Sequence, residues 1–195
     1  MPTFPLKDLA TIRMGVTLRG RDATRHDPAG PYRLIQISDL DDAGAFRNRD
    51  FVRITPRESF NRELLLRSGD LIFPNRGSRT TAAVFDDSDL PALVGPQFFI
   101  IRPVSDEILG AYLAWMLRTR EAFSYFDANR RGSNVLTLQK PALEAFELPV
   151  PPLEVQHAIV EIDRLGHLAS ALESRLAVLR SLHLEQSLLQ RAKLP

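Results

Sequence analysis

Two hydrophobic rhythms divide the chain. Up to about residue 150 apolar residues come in short runs separated by turn residues, and beyond it they recur at steps of three and four. The short runs are residues 33–38 (RLIQIS), 51–54 (FVRI), 70–73 (DLIF), 82–85 (AAVF) and 97–102 (QFFIIR). All are rich in Ile, Val and Phe with Gly, Pro, Asp or Asn nearby, which predicts strands joined by turns. A helix is predicted next, with Ser105 as N-cap, Asp106 and Glu107 in its first turn, and Ile108, Ala111, Tyr112, Trp115 and Phe123 at helical spacing. The polar stretch 127–134 (DANRRGSN) ends it. A shorter helix over 140–145 begins around Pro141, and an extended 148–150 leads into Pro151-Pro152.

Between Leu153 and Leu194 there is no proline and one glycine, Gly166. Val155, Ile159, Ile162, Leu165, Ala169, Leu172, Leu176, Leu179 and Leu182, with Leu189 further on, form an apolar seam of coiled-coil type. A helix of about 38 residues spans roughly 57 Å. That is too long to bury its seam along one domain of about 150 residues, so the seam calls for a partner helix. A hairpin folded back near Gly166 is the alternative. The predicted class is α+β: a mixed, strand-rich domain over 1–150, then one long coiled-coil-type helix over 151–195.

Composition supports a buried core, with 44% hydrophobic and 25% charged residues among 195. No run approaches the length of a membrane-spanning helix, the opening MPTFPLKDLATIRMG has no apolar signal core, and cysteine is absent. A cytoplasmic protein is expected. The net charge of +1 hides an asymmetry, because residues 1–80 carry 14 basic and 10 acidic side chains while 81–150 carry 6 and 9. Only Lys7, Lys140 and Lys193 are lysine; the other 22 basic residues are arginine, which suits bidentate contacts to phosphate and guanine.

Familiar catalytic patterns are missing. Nucleases of the Asp…(Asp/Glu)-x-Lys type need an acid two residues before a lysine, where this chain has Pro5, Leu138 and Arg191. Gly15 and Gly20 have phosphate-loop spacing, but Arg21-Asp22 follow them in place of Lys-Ser/Thr. No dinucleotide glycine motif, nucleophile elbow or Asn/Asp-Pro-Pro-aromatic tetrapeptide occurs. His26, His157, His167 and His183 form no pair at metal spacing. No catalytic residue, metal or cofactor is expected.

What remains is three polar, arginine-bearing loops. The first holds Thr17, Arg19, Arg21 and Arg25. The second holds Asn75, Arg76, Ser78, Arg79 and Thr80, and the third Arg130, Arg131, Ser133 and Asn134. Arg suits phosphates or guanine, Asn suits adenine, and hydroxyls with glycine-flanked amides suit the backbone, so a nucleic acid is the expected ligand.

The stretch 146–165 (FELPVPPLEVQHAIVEIDRL) resembles the junction between a target-recognition domain and its long helix in type I restriction–modification DNA specificity subunits. Residues 6–19 (LKDLATIRMGVTLR), 33–40 (RLIQISDL), 69–77 (GDLIFPNRG) and Gly132-Ser133 followed by Leu136-Thr137-Leu138 fall in the family's order. The usual member carries two recognition domains and two long helices, whereas this chain has one of each. The resemblance therefore implies a half-length form that dimerises through Ile162, Leu165, Ala169, Leu172, Leu176, Leu179 and Leu182 and reads a bipartite site. It also implies docking to a DNA methyltransferase subunit that a restriction subunit can join, with catalysis residing in those partners. A coiled-coil adaptor that binds protein and not DNA is the competing expectation.

Overall fold

The computed structural model describes residues 2–19, 25–41, 43–48, 50–78, 80–86 and 91–192. In chain order the elements are β1 (Thr3–Pro5), α1 (Leu6–Leu9), β2 (Ala10–Met14), β3 (Tyr32–Ile35), β4 (Val52–Ile54), β5 (Leu71–Pro74), β6 (Ala83–Val84), β7 (Ala92–Val94) and β8 (Phe98–Pro103). Then come α2 (Gly110–Arg118), α3 (Arg120–Asn129), β9 (Arg130–Arg131), β10 (Thr137–Leu138), α4 (Lys140–Glu144), β11 (Glu147–Pro149) and α5 (Leu153–Ala192). The chain forms two units, Met1–His157 and Ala158–Pro195.

In the first unit the apolar runs build two sheets, ordered β2-β8-β5-β6 and β4-β3-β7. β8 is the most apolar strand and lies between β2 and β5, antiparallel to both. Its Phe98, Phe99, Ile100 and Ile101 are all buried, as expected of a strand covered on both faces. β3 pairs parallel with β7, and the turn 95–97 carries the chain from β7 into β8. The sheets are also tied through the end of β2: Gly15 N–H donates to Phe98 O (2.9 Å) and Val16 N–H to Val94 O (2.8 Å). One apolar cluster includes Ile35, Leu40, Phe51, Ile72, Phe85, Val94, Phe98 and Ile100. A second gathers Val16, Leu34, Ile54 and Leu93. β1 pairs with β11 across nearly the whole unit.

Two differences from the sequence reading have local causes. The helix expected from Ser105 starts at Gly110, because Ser105 Oγ accepts the Glu107 N–H in a turn (3.0 Å). It also divides at Thr119, whose extended backbone stops α2 and whose hydroxyl accepts the Ala122 N–H (3.3 Å) to cap α3. β1, β2, β7, β9 and β10 were not anticipated, while β11 falls on the extended stretch expected over 148–150. β2 alternates buried and exposed residues and includes Arg13, and the other four are only two or three residues long.

α5 is one helix of 40 residues, about 60 Å long. Gly166 does not bend it into a hairpin. Its first turn belongs to the first unit, where buried Gln156 accepts the Leu109 N–H (2.9 Å) and donates to Glu107 O and Pro151 O (2.8 Å each). In the second unit Ile162, Leu165, Ala169, Leu172, Leu176, Leu179 and Leu182 are all exposed. No helix among the described residues is long and apolar enough to cross a membrane.

Candidate nucleic-acid interface

The second and third polar loops, about 55 residues apart in sequence, fold into one ribbon. Beyond β5, Arg76 bridges antiparallel to Thr137. Gly77 N–H donates to Leu136 O and Leu138 N–H to Asn75 O, both at 2.8 Å. β10 then pairs with β9, Thr137 opposite Arg131 and Leu138 opposite Arg130. Directly opposed residues share a face, so Arg76, Thr137 and Arg131 stand in one row across three strands. Two inter-strand steps place the arginine backbones about 10 Å apart.

Alternation along each strand decides which polar residues are presented. Arg76, Ser78, Arg131, Ser133 and Asn134 are exposed, and Thr80 is half-buried. Asn75 and Arg130, each one residue from an exposed arginine, turn inward and are 3% and 5% exposed. The expectation that these two offer themselves to DNA is therefore corrected. Adjacent residues in an extended strand cannot face the same way, so of Arg130-Arg131 only one guanidinium is displayed.

The inward pair has structural work. Asn75 N–H donates to Gln97 O and its Nδ2 to Pro96 O (2.9 Å each), which fixes the ribbon to the 95–97 turn. Arg130, opposite Leu138 of β10, has Nη1 3.9 Å from Asp127 Oδ1, and burial pushes its guanidinium pKa down. At the tip of the ribbon Gly132 has φ +124°, and a Cβ there would overlap the Val135 carbonyl oxygen. Gly132→Ala is expected to disrupt the tip at a cost of about 1–3 kcal/mol. Thermal unfolding together with loss of amide protection at Leu138 would register it.

The first loop leaves the end of β2, where Gly15 and Val16 bond Phe98 and Val94 on either side of the same 95–97 turn. Thr17, Leu18 and Arg19 line a narrow groove with residues 56–60, including Arg57 and Ser59. Arg25 is exposed and leads into Asp27, whose N–H donates to Arg53 O on β4 (2.8 Å). Thr17 and Arg19 are exposed like the ribbon residues. Arg21 and Arg79 lie outside the described residues.

Sequence reasoning also missed Val135 and Leu136, which are 57% and 40% exposed at the ribbon tip beside Ser133 and Asn134. Two adjacent apolar residues between a glycine turn and a strand are ordinarily core, and only the pairing with Gly77 shows that they are not. No group of three or more His, Asp or Glu side chains that could hold a metal occurs among the described residues.

Residues 1–176 match the family model described as the type I restriction modification DNA specificity domain. Three solved structures share the fold. A structure of a type I R-M system, solved for its complex assembly and conformational transition, aligns at TM-score 0.69 and 21% identity, over 98% of this chain and 45% of that one. The HsdS subunit from Thermoanaerobacter tengcongensis aligns at TM-score 0.62 and 20% identity, over 89% and 39% of the two chains. The type I S subunit from M. genitalium aligns at TM-score 0.54 and 17% identity, over 88% and 41%. The chain thus spans less than half the length of these structures. A comparison with curated protein sequences found no match.

Proposed function

The chain belongs to the type I restriction–modification DNA specificity family, and on that premise we propose that it is the sequence-reading component of such a complex. Specificity subunits of these systems are non-catalytic, so its task is to bind double-stranded DNA and carry the subunits that act on it. The observation that carries this reading is the ribbon row Arg76–Thr137–Arg131 in a domain of that family. The DNA major groove is about 12 Å wide and admits a β-ribbon, and two arginine forks about 10 Å apart match its dimensions. Arg can bind guanine O6 and N7 or bridge phosphates, while Ser78, Ser133 and Asn134 hold the backbone or a base edge. Thr17, Arg19 and Arg25 would meet phosphates.

The helix supplies the second half of the proposal. Its seam from Ile162 to Leu182 is exposed, and Leu184 and Leu188 are exposed off that seam. Apolar surface on more than one face of a helix suits more than one helical partner. We assign the seam to a second copy of the chain, so that two domains read the halves of a bipartite site, and the remaining apolar positions to a DNA methyltransferase subunit that a restriction subunit can join.

Duplex binding by the complex with its methyltransferase is expected to weaken steeply with salt, as phosphate contacts release counterions. Arg76→Ala or Arg131→Ala should each cost about 1–3 kcal/mol of binding and relax the methylated motif if the contact is to a base. Methylated-base sequencing in cells carrying the complete complex reads both effects. Absence of duplex binding at every salt concentration, alone and with the partner, would favour the protein-binding adaptor.

A further inference from the structure

Beside the ribbon lies a second β-hairpin that none of the polar-loop patterns in the sequence marked. Leu40 bridges antiparallel to Phe46, Asp41 N–H donates to Ala45 O (2.9 Å), and Arg47 N–H donates to Asp39 O (2.9 Å). Its anchoring is specific. Gly44 has φ +82°, and a Cβ there would overlap the Ala82 carbonyl oxygen, so hairpin and loop touch backbone to backbone. Arg118, at the end of α2, donates from Nη1 to that same carbonyl (3.0 Å). Ala82 follows directly on the loop 75–81 that begins with the ribbon.

Topology puts both at one end of the sheets. β3 runs parallel to β7, so the hairpin that follows β3 emerges where β7 ends, next to the 95–97 turn. Asn75 emerges at that same turn from β5.

Asp39 and Asp41 are engaged by the hairpin's own backbone, while its donors are displayed. Asp39 Oδ2 accepts the Gln36 N–H (2.7 Å), and Asp41 Oδ1 accepts those of Ala43 (2.9 Å) and Ala45 (2.8 Å). Arg47 and Asn48 are exposed. Arg47 Nε donates to Leu40 O (3.2 Å), which steadies the guanidinium and leaves its Nη groups to bind. Asn48 Oδ1 accepts the Asp50 N–H (3.2 Å), which leaves its amide N–H groups as donors. Outward donors on a fixed backbone beside a DNA-reading ribbon suit phosphate or base-edge acceptors.

We propose that the hairpin carrying Arg47 and Asn48 is a further DNA-contacting segment, continuous with the ribbon; this rests on the DNA-reading function proposed above. The test uses the complete methyltransferase complex with Arg47→Ala, Asn48→Ala, the double variant, and Arg76→Ala as reference. A duplex carrying the methylated motif is titrated at several salt concentrations, and methylated bases are sequenced in cells. The double variant is expected to bind about five- to hundred-fold more weakly, with a shallower salt dependence or a relaxed motif position. Unchanged affinity, salt slope and motif in the double variant, with Arg76→Ala impaired, would overturn this inference alone. If the wild-type complex binds no duplex and Arg76→Ala changes nothing, the DNA-reading proposal itself falls. Circular dichroism and unfolding of each variant separate contact loss from misfolding.

Discussion

Asp70→Ala is expected to destabilise the first unit by about 3–5 kcal/mol, the range for removing one partner of a buried ion pair. The Asp70 side chain is 1% exposed and that of Arg102 19%. Asp70 Oδ1 accepts from Arg102 Nε (2.7 Å) and Oδ2 from Arg102 Nη2 (2.6 Å), a bidentate pair. Oδ2 also accepts the Arg67 N–H (2.8 Å), and Arg102 Nη2 donates to Leu65 O (3.0 Å). One carboxylate thus joins the entry to β5, the exit of β8 and the turn before them. Its hydrogen bonds hold the Arg102 guanidinium pKa above the usual arginine value. Truncation leaves that cation half-enclosed without its counter-charge and two backbone groups less well placed. For a domain whose whole stability is of order 5–15 kcal/mol, the loss is large. Urea unfolding followed by tryptophan fluorescence of Trp115 would show the midpoint fall, and an unchanged midpoint would refute the assignment.

The same pair illustrates what is legible in a sequence. The apolar runs over 70–73 and 97–102 mark β5 and β8 because burial on both faces demands continuous Ile, Leu and Phe. That Asp70 and Arg102 at the ends of those runs would meet depends on antiparallel register, which composition does not carry. The interface follows the same logic. Asn75, Arg76, Arg130 and Arg131 are recognisable as candidate chemistry, but which of them point outward is fixed by pairing phase, and one step along a strand reverses it. The hairpin with Arg47 and Asn48 escaped because its position depends on Gly44 meeting Ala82, a contact between residues 38 apart in sequence. The long helix was the most readable element, since its 3–4 periodicity is local. Thr119, a hydroxyl residue able to cap a new helix, was the available signal that the helix before it would divide.

Replacing Leu172 and Leu179 together by aspartate is expected to abolish self-association of the chain, on the proposal that the seam pairs two copies. The seam from Ile162 to Leu182 is centred on residue 172, so a twofold axis across an antiparallel pair brings the two copies of that residue close together. The double variant then removes four leucines from the interface and places four carboxylates there, two of them near each other. Burying a leucine is worth about 1.5–3 kcal/mol, so four amount to at least about 6 kcal/mol before the charge is counted. Such a loss raises the dissociation constant by about four orders of magnitude or more. The isolated helix pays little, because both leucines are already 58% and 53% exposed and aspartate lowers helix propensity by under about 1 kcal/mol each. Unfolding of the first unit should therefore be unchanged while sedimentation reports monomers at concentrations where the wild type is dimeric. A wild type that sediments as a monomer removes the second copy as occupant of the seam, and a double variant that remains dimeric places the pairing surface elsewhere.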